Sequence, residues 1–248
     1  MASDDVVART AAEIAIARDV QARLFPQNVP SLRTLAIAAH CIQARSVGGD
    51  YYDFLALGED QTGLVLADVS GKGFHAALRM ATLQAHLRSQ AASAPQDPLR
   101  VMRQVNRMLL ESWPSGHFAT LFLGVYNDTS RRFIYINCGH NPPLCVRRDG
   151  QVERLHATAT VLGVFDDWRC ELGRMTLSPG DRLVAYSDGV TEAVRDGEQF
   201  GEERLADVIL QHPDASPEEL ISAVLGQVAE FGAGEQSDDL TLLVTLGL

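Results

Sequence analysis

The sequence predicts an α+β fold in which antiparallel sheets are flanked by helices. From Leu35 onward the chain is a succession of short apolar runs closed by Gly, Asp and Asn, at hairpin-like spacing. Its helical stretches arrive in pairs rather than one after each strand, which argues against a doubly wound parallel sheet. With 248 residues, 46% of them hydrophobic and 21% charged, there is apolar side chain enough for a full core. No internal repeat or low-complexity linker interrupts it, so residues 32–248 read as one domain behind a lead-in segment, 1–31.

Residues 4–24 lack Gly and Pro and carry a stripe of Ala8, Ala12, Ile16, Val20 and Leu24, with Val7, Ala11 and Ile14 alongside. This predicts a helix with one apolar face, suited either to packing on its own domain or to an interaction or dimer seam. Pro26 and Pro30 end it. Strands are then expected in "LAIAAHCIQA", "TGLVLADVSG", "FATLFLGVYNDTSRRFIYINCGHN", "PPLCVRRDGQVERL", "GDRLVAYSDG" and "DDLTLLVTLGL", with "NDTS" and "RRDG" as turns. The helix pairs are "GFHAALRMATLQAHLRSQ" with "DPLRVMRQVNRMLLESW", and "GEERLADVILQH" with "SPEELISAVLGQVAEFG". The last opens on a Ser-Pro-Glu-Glu start signal.

Charge and composition exclude several classes. Lys+Arg at 21 against Asp+Glu at 32 gives a net charge of -11, without the basic footprint of a nucleic-acid binder. No apolar run approaches the ~20 residues that span a bilayer, and "MASDDVVART" opens acidic rather than basic. A cytoplasmic protein is therefore expected. Cys41, Cys138, Cys145 and Cys170 form no CxxC pair, which suits buried thiols better than a disulfide or zinc framework. "SGKG" at Ser70–Gly73 fails the P-loop spacing, and neither HExxH nor GxSxG occurs. His75 and His86 fit packing or surface positions, and His140 in "NCGHNPP" fits a structural loop histidine.

The recurrent feature is an aspartate at a strand terminus. Leu64–Ala67 runs into Asp68, Leu183–Tyr186 runs into Ser187-Asp188-Gly189, Asp238-Asp239 precedes Leu240–Leu246, and Asp50 follows Gly48-Gly49. Each alone is a turn or cap residue by default, since Asp-Gly is a turn signal. Four such sites converging would repel unless some took up protons or a cation lay among them. All-oxygen ligation suits Mg²⁺ or Mn²⁺, and two such ions about 3.5–4 Å apart clamp an in-line phosphoryl displacement. Asp50 and Asp53 differ by three and face opposite sides of an extended strand, so one of the two ligates, and Asp50 adjoins the glycines.

In this order, "VGGDYYDF", "ADVSGKG", "FATLFLGV", "CGHNPPL", "LSPGDRLVAYSDGVTEA", "GEQFGEERL" and "SDDLTLLV" resemble the motifs of the PPM-type (type 2C-like) bacterial serine phosphatases of the SpoIIE-type sporulation and stress-response branch. "ARDVQARLFPQNVP" resembles that branch's lead-in helix, so the likeness runs from about Ala17 to Leu246. It implies an α-β-β-α sandwich with two Mn²⁺ or Mg²⁺ ions between the sheets. It implies that these ions are held by Asp50, Asp68 with the carbonyl of Val69, Asp188 and Asp238, with Asp239 the neighbour that competes for the last role. It further implies direct hydrolysis of phosphoserine or phosphothreonine by a metal-activated water. The substrate would be a phosphorylated regulator of the anti-sigma-factor-antagonist type, in a partner-switching circuit. The alternatives are a catalytically silent regulatory or dimerisation module of the same fold and a phosphohydrolase acting on small molecules. Regulation is expected through dimerisation by residues 4–24 or through a separate activating protein. The branch has an acidic residue where Ser46 stands and a small residue or proline where His75 stands. Arg45 is the candidate counterpart of the phosphate-contacting arginine of eukaryotic relatives.

Overall fold

The computed structural model describes residues 2–234 and 236–248, with side chains from residue 9 onward. In chain order the elements are α1 (Ala2–Ala22), β1 (Leu35–Ile42), β2 (Tyr51–Ala56), β3 (Gln61–Val69), α2 (Phe74–Ser93), α3 (Pro98–Ser112), β4 (Ala119–Asn127), β5 (Arg132–Cys138), β6 (Leu144–Val146), β7 (Val152–Arg154), β8 (Gly173–Thr176), β9 (Arg182–Tyr186), α4 (Asp188–Thr191), β10 (Val194–Arg195), β11 (Glu198–Gln199), α5 (Gly201–Gln211), α6 (Pro217–Phe231) and β12 (Leu240–Gly247). Two five-stranded sheets result, ordered β1-β12-β9-β6-β7 and β2-β3-β4-β5-β8, with every pairing antiparallel.

Side-chain alternation decides the layers. Along β3, Leu64 and Leu66 point between the sheets, where they meet Phe122, Phe133, Leu183 and Leu243. Val65, Ala67 and Val69 point the other way, under Met80, Leu83 and Leu87 of α2 and Met102, Val105 and Leu109 of α3. The second sheet does the same: Val184, Tyr186, Leu242 and Val244 lie beneath Leu205 and Val208 of α5 and Leu220, Val224 and Val228 of α6. Each fully buried aliphatic side chain of this size is worth about 1.5–3 kcal/mol, so both faces of both sheets contribute. The outcome is an α-β-β-α sandwich, and the paired helices of the sequence are its two outer layers.

Local signals set the helix starts. Ser216 accepts from Glu219 N while Glu219 closes back on Ser216 N, the capping box announced by Ser-Pro-Glu-Glu. Asp97 caps α3 at Arg100 N with Pro98 in the first turn. In the "NDTS" turn Asn127 Oδ1 accepts from Ser130 N at 2.7 Å. The apolar runs of the sequence do not mark β2, whose apolar alternation Asp53 interrupts, and they do not mark β8, the short α4 or the β10–β11 hairpin either. The residues of these last three are largely exposed or span only two to four positions, too few to carry a hydrophobic period. The helix expected at 4–24 is α1; Val7 and Ala8 of its stripe lie outside the residues with described side chains, and Ile16 and Val20 are 63% and 58% exposed. Among the residues whose side chains are described, the end of α1 is fastened through buried Gln21, and Leu24 and Phe25 just beyond it pack on the α2–α3 core.

Two buried carboxylates tie distant segments. Asp53, fully buried, takes a bidentate pair from Arg88 of α2 (Nε 2.7 Å, Nη2 2.6 Å) together with the Tyr51 hydroxyl. Asp53 thus faces the helix layer, on the side away from Asp50. Asp128 accepts from the backbone of Arg33 and Thr34 and from the Arg33 side chain, fastening the chain entering β1 to the β4–β5 turn. Those bonds, the Arg33 amide first, hold its carboxyl well below the usual range against the opposing effect of burial.

Arg88→Met leaves a fully buried carboxylate without its cation, and a destabilisation of about 3 kcal/mol is expected in denaturant unfolding. Adding Asp53→Asn should recover a large part of it, and a double-mutant cycle with no coupling would contradict the pairing. Asp128→Ala should cost about 2 kcal/mol, roughly 4–8 °C in Tm. Because the native pKa of Asp128 is depressed, its contribution is complete above the unfolded value near 4 and is lost as pH falls toward the native one. The Tm gap between wild type and variant should therefore hold constant above about pH 5 and narrow progressively as pH falls below about 4.

Candidate metal centre

Strand direction gathers the aspartates. β2 and β3 run antiparallel with Tyr51 opposite Ala67, so the start of β2, with Asp50, lies beside the end of β3, with Asp68. In the other sheet Leu242 lies opposite Tyr186, so Asp238-Asp239 before β12 meet Ser187-Asp188 after β9. Both sheets thereby present their carboxylates at the same end of the sandwich.

Burial and mutual charge follow from that placement. Asp50 is 2% exposed, and burial first, then the charge of Asp68, pushes its carboxyl well above the ordinary range. Asp68 is pushed up to about 7 by burial and then by Asp188, Asp238 and Asp239. Asp188 is raised by burial and by Asp238. Of the residues expected from the sequence, Asp50, Asp68, Asp188 and Asp238 therefore form one interacting group. The Val69 carbonyl lies at its edge, 2.7 Å from where a Cβ on Gly49 would stand.

Asp238 and Asp239 differ in their partners. Asp239 is buried and turned inward, accepting from Ala44 N (2.8 Å), Gly49 N (2.9 Å) and Asp50 N (3.3 Å), so it anchors the loop that carries Asp50. Asp238 faces Lys72, whose Nζ is 2.7 Å from its carboxylate and 3.0 Å from the Ser237 carbonyl. The glycines are sterically required here: a Cβ on Gly48 would overlap the Asp239 carboxylate, and one on Gly189 would overlap the Asp239 carbonyl.

Several supporting residues escaped sequence reasoning. Gln21 of α1 clasps Gly48 at both ends of its peptide, donating to the carbonyl (2.8 Å) and accepting from the amide (3.1 Å). The Thr241 hydroxyl donates to Asp50, and Ser187 Oγ bridges the Asp239 carbonyl and Thr241 N. Lys72, weighed in the sequence only as part of a failed P-loop, is the cation nearest the group. None of these has a local signature, because each acts on a residue at least 27 positions away. His140 is buried, bonded to Thr120 Oγ1 at 2.8 Å, and burial lowers its pKa to about 4, as suits a structural loop histidine.

Among the described residues no three His, Cys, Asp or Glu side chains already converge as a closed metal cage. The reason is visible in the contacts: Asp239 is engaged by backbone amides and Asp238 by Lys72. The donor chemistry nevertheless fits a hard divalent cation, since the group is all oxygen and its carboxyls are raised by one another's charge.

Comparison with known proteins identifies the family. The family model described as Stage II sporulation protein E (SpoIIE) matches residues 58–245. Phosphoserine phosphatase RsbU of Bacillus subtilis (strain 168) is 30% identical over 233 residues, 94% of this chain and 69% of RsbU. The crystal structure of the RsbU and RsbW domains of Rv1364c from Mycobacterium tuberculosis superposes with a TM-score of 0.77 at 30% identity, covering 88% of this chain and 61% of that one. The SiaA-PP2C domain of Pseudomonas aeruginosa superposes with a TM-score of 0.86 at 19% identity over the whole of both chains, and the fold is accordingly that of the PP2C phosphatases. By the span of the family model and the identity to RsbU, this chain belongs to the SpoIIE family.

Proposed function

We propose that this chain is a metal-dependent protein serine/threonine phosphatase that removes phosphate from phosphoserine on a small regulatory protein of the anti-sigma-factor-antagonist type. The observation that carries the reading is the meeting of Asp50, Asp68, Asp188 and Asp238 from both sheets at one end of a SpoIIE-family sandwich, with Lys72 their nearest cation. The likeness to RsbU, a phosphoserine phosphatase, supports the substrate class. Asp50, Asp68 with the Val69 carbonyl, Asp188 and Asp238 would hold two Mn²⁺ or Mg²⁺ ions, and Asp239 would hold the loop. Such ions, when bound, supply Lewis acidity toward the phosphoryl group and a water nucleophile at neutral pH.

The chain's own residues do the positioning. The amides of Gly49 and Asp50 are pinned by Asp239, and the Thr241 hydroxyl orients the Asp50 carboxylate, so Asp50 meets its neighbours without rotamer freedom. Lys72 pairs with Asp238 at the mouth of the site, a place a bound cation would take over. Arg45, beside the Ser70–Gly73 turn, is the candidate for gripping the phosphate. The reading places the protein in the cytoplasm, and among the described residues no helix is long and apolar enough to cross a membrane.

The catalytically silent alternative predicts no metal-dependent turnover. With a phosphoserine protein as substrate, Mn²⁺ should stimulate phosphate release, while chelator or Asp68→Asn should lower it by at least about a hundredfold with an unchanged circular dichroism spectrum. Turnover that survives both treatments would reject the assignment. The uncovered Ile16–Val20 face of α1 supports a role for that helix as a dimerising switch, and Gln21 connects it to the Asp50 loop. Deleting residues 1–24 is expected to change both oligomeric mass and activity. If neither moves in light scattering and phosphate release, α1 has only a packing role.

A further inference from the structure

A cleft of about 620 Å³ opens between α1 and the β1–β2 segment, beside the carboxylate group. Its charge is one-sided. Arg18 of α1, His40 of β1 and Arg45 line it together with Phe25, Ile42 and Tyr52, and no carboxylate is in its wall among the described residues. In a chain with 32 acidic and 21 basic residues such a wall is a local inversion of the overall field.

The apolar part is ordered. Phe25 and Tyr52 pack with ring centroids 5.2 Å apart, and Tyr52 continues edge-on to Phe54. The cleft also communicates with the proposed centre at two points. Arg45 Nη1 lies 3.6 Å from where a Cβ on Gly73 would stand, at the end of the turn that carries Lys72. Cys41 in its wall feels the charges of both Asp50 and Asp239 in addition to its burial. The cleft therefore joins the neighbourhood of the carboxylate group, through Arg45 and Cys41, to α1, through Arg18, and carries the Phe25–Tyr52 pair in its wall.

We propose that this cleft docks the residues flanking the phosphoserine of the protein substrate, and that it takes a segment combining acidic with apolar or aromatic side chains. The inference rests on the phosphatase reading for its link to turnover, but the binding itself requires no metal. Arg18, with His40 beside it in the wall, recognises carboxylates, Arg45 remains with the phosphate, and the Phe25–Tyr52 pair takes the apolar side chain. It also gives α1 a role in substrate selection, because Arg18 belongs to that helix. A small anionic metabolite would satisfy the arginines but leave the Phe25–Tyr52 pair bare, and the test separates the two.

The probes are two fluorescein-labelled, phosphate-free peptides, one with alternating Asp and Leu around a single Ser, the other with Lys in place of Asp. Fluorescence polarisation with the full chain in chelator should detect binding of the acidic peptide and not of the basic one. Arg18→Glu should weaken that binding at least about fivefold, and Arg18→Lys should restore most of it. With the phosphorylated peptides and Mn²⁺, Arg18→Glu should raise KM for the acidic substrate by a similar factor and leave kcat within about twofold. Equal binding of both peptides, binding of neither, or binding indifferent to Arg18→Glu overturns the proposal, as does equal competition by Asp-only and Asp-Leu peptides. Arg18-dependent binding without turnover of either phosphopeptide would retain the cleft and reject the phosphatase reading. Turnover without preference would do the reverse.

Discussion

Mutual repulsion among clustered, partly buried carboxylates is the constraint around which this end of the molecule is organised. Four aspartates, from two sheets, share one end of the sandwich, and burial and their neighbours' charges push the carboxyls of Asp50, Asp68 and Asp188 upward. Proton uptake or a cation relieves that charge, and separate groups hold the backbones that carry it. The holding groups are Asp239 on the Gly49 and Asp50 amides, Ser187 and Thr241 across the β9–β12 junction, Gln21 on Gly48, and Lys72 on Asp238. Their number around so few residues marks the end of the sandwich that the rest of the fold serves.

The sandwich supplies rigidity at a distance. Strands with apolar residues on both faces, such as β3, cannot slip by one residue without exchanging their inter-sheet leucines for valines and alanines that fit under helices. Register is therefore fixed along the length of β3 and β9, and their ends deliver Asp68 and Asp188 to defined positions. Arg88 clamps α2, the helix that follows the Asp68 loop, onto Asp53, three residues past Asp50. The outer helix layer is thus joined to the strand that follows Asp50 by an ion pair to a buried carboxylate as well as by apolar contact.

Much of this was legible in the chain itself. The alternation and turn chemistry of the long strands, the Ser-Pro-Glu-Glu cap and the opposite facing of Asp50 and Asp53 each rest on residues close in sequence, and each is found in the structure. The edge strand β8 and the β10–β11 hairpin were not legible, because short exposed segments pair only where a neighbouring strand offers its edge. Gln21, Lys72 and Thr241 were not legible as parts of the site, since a glutamine on a helix, a lysine in a glycine turn and a threonine in a strand have unremarkable local roles. The division of labour between Asp238 and Asp239 was likewise hidden in a two-residue motif.

Sequence alone determined the antiparallel strands, the helix pairs that flank them and the strand termini at which carboxylates stand, because hydrophobic period and turn residues are local properties of the chain. Tertiary structure alone decided which aspartate meets which, that Asp239 turns to backbone amides while Asp238 meets Lys72, and that a basic, aromatic cleft forms beside them from α1 and β1. Those outcomes depend on groups up to about two hundred residues apart being brought within a few ångströms, and only the packing of two sheets against each other sets such distances.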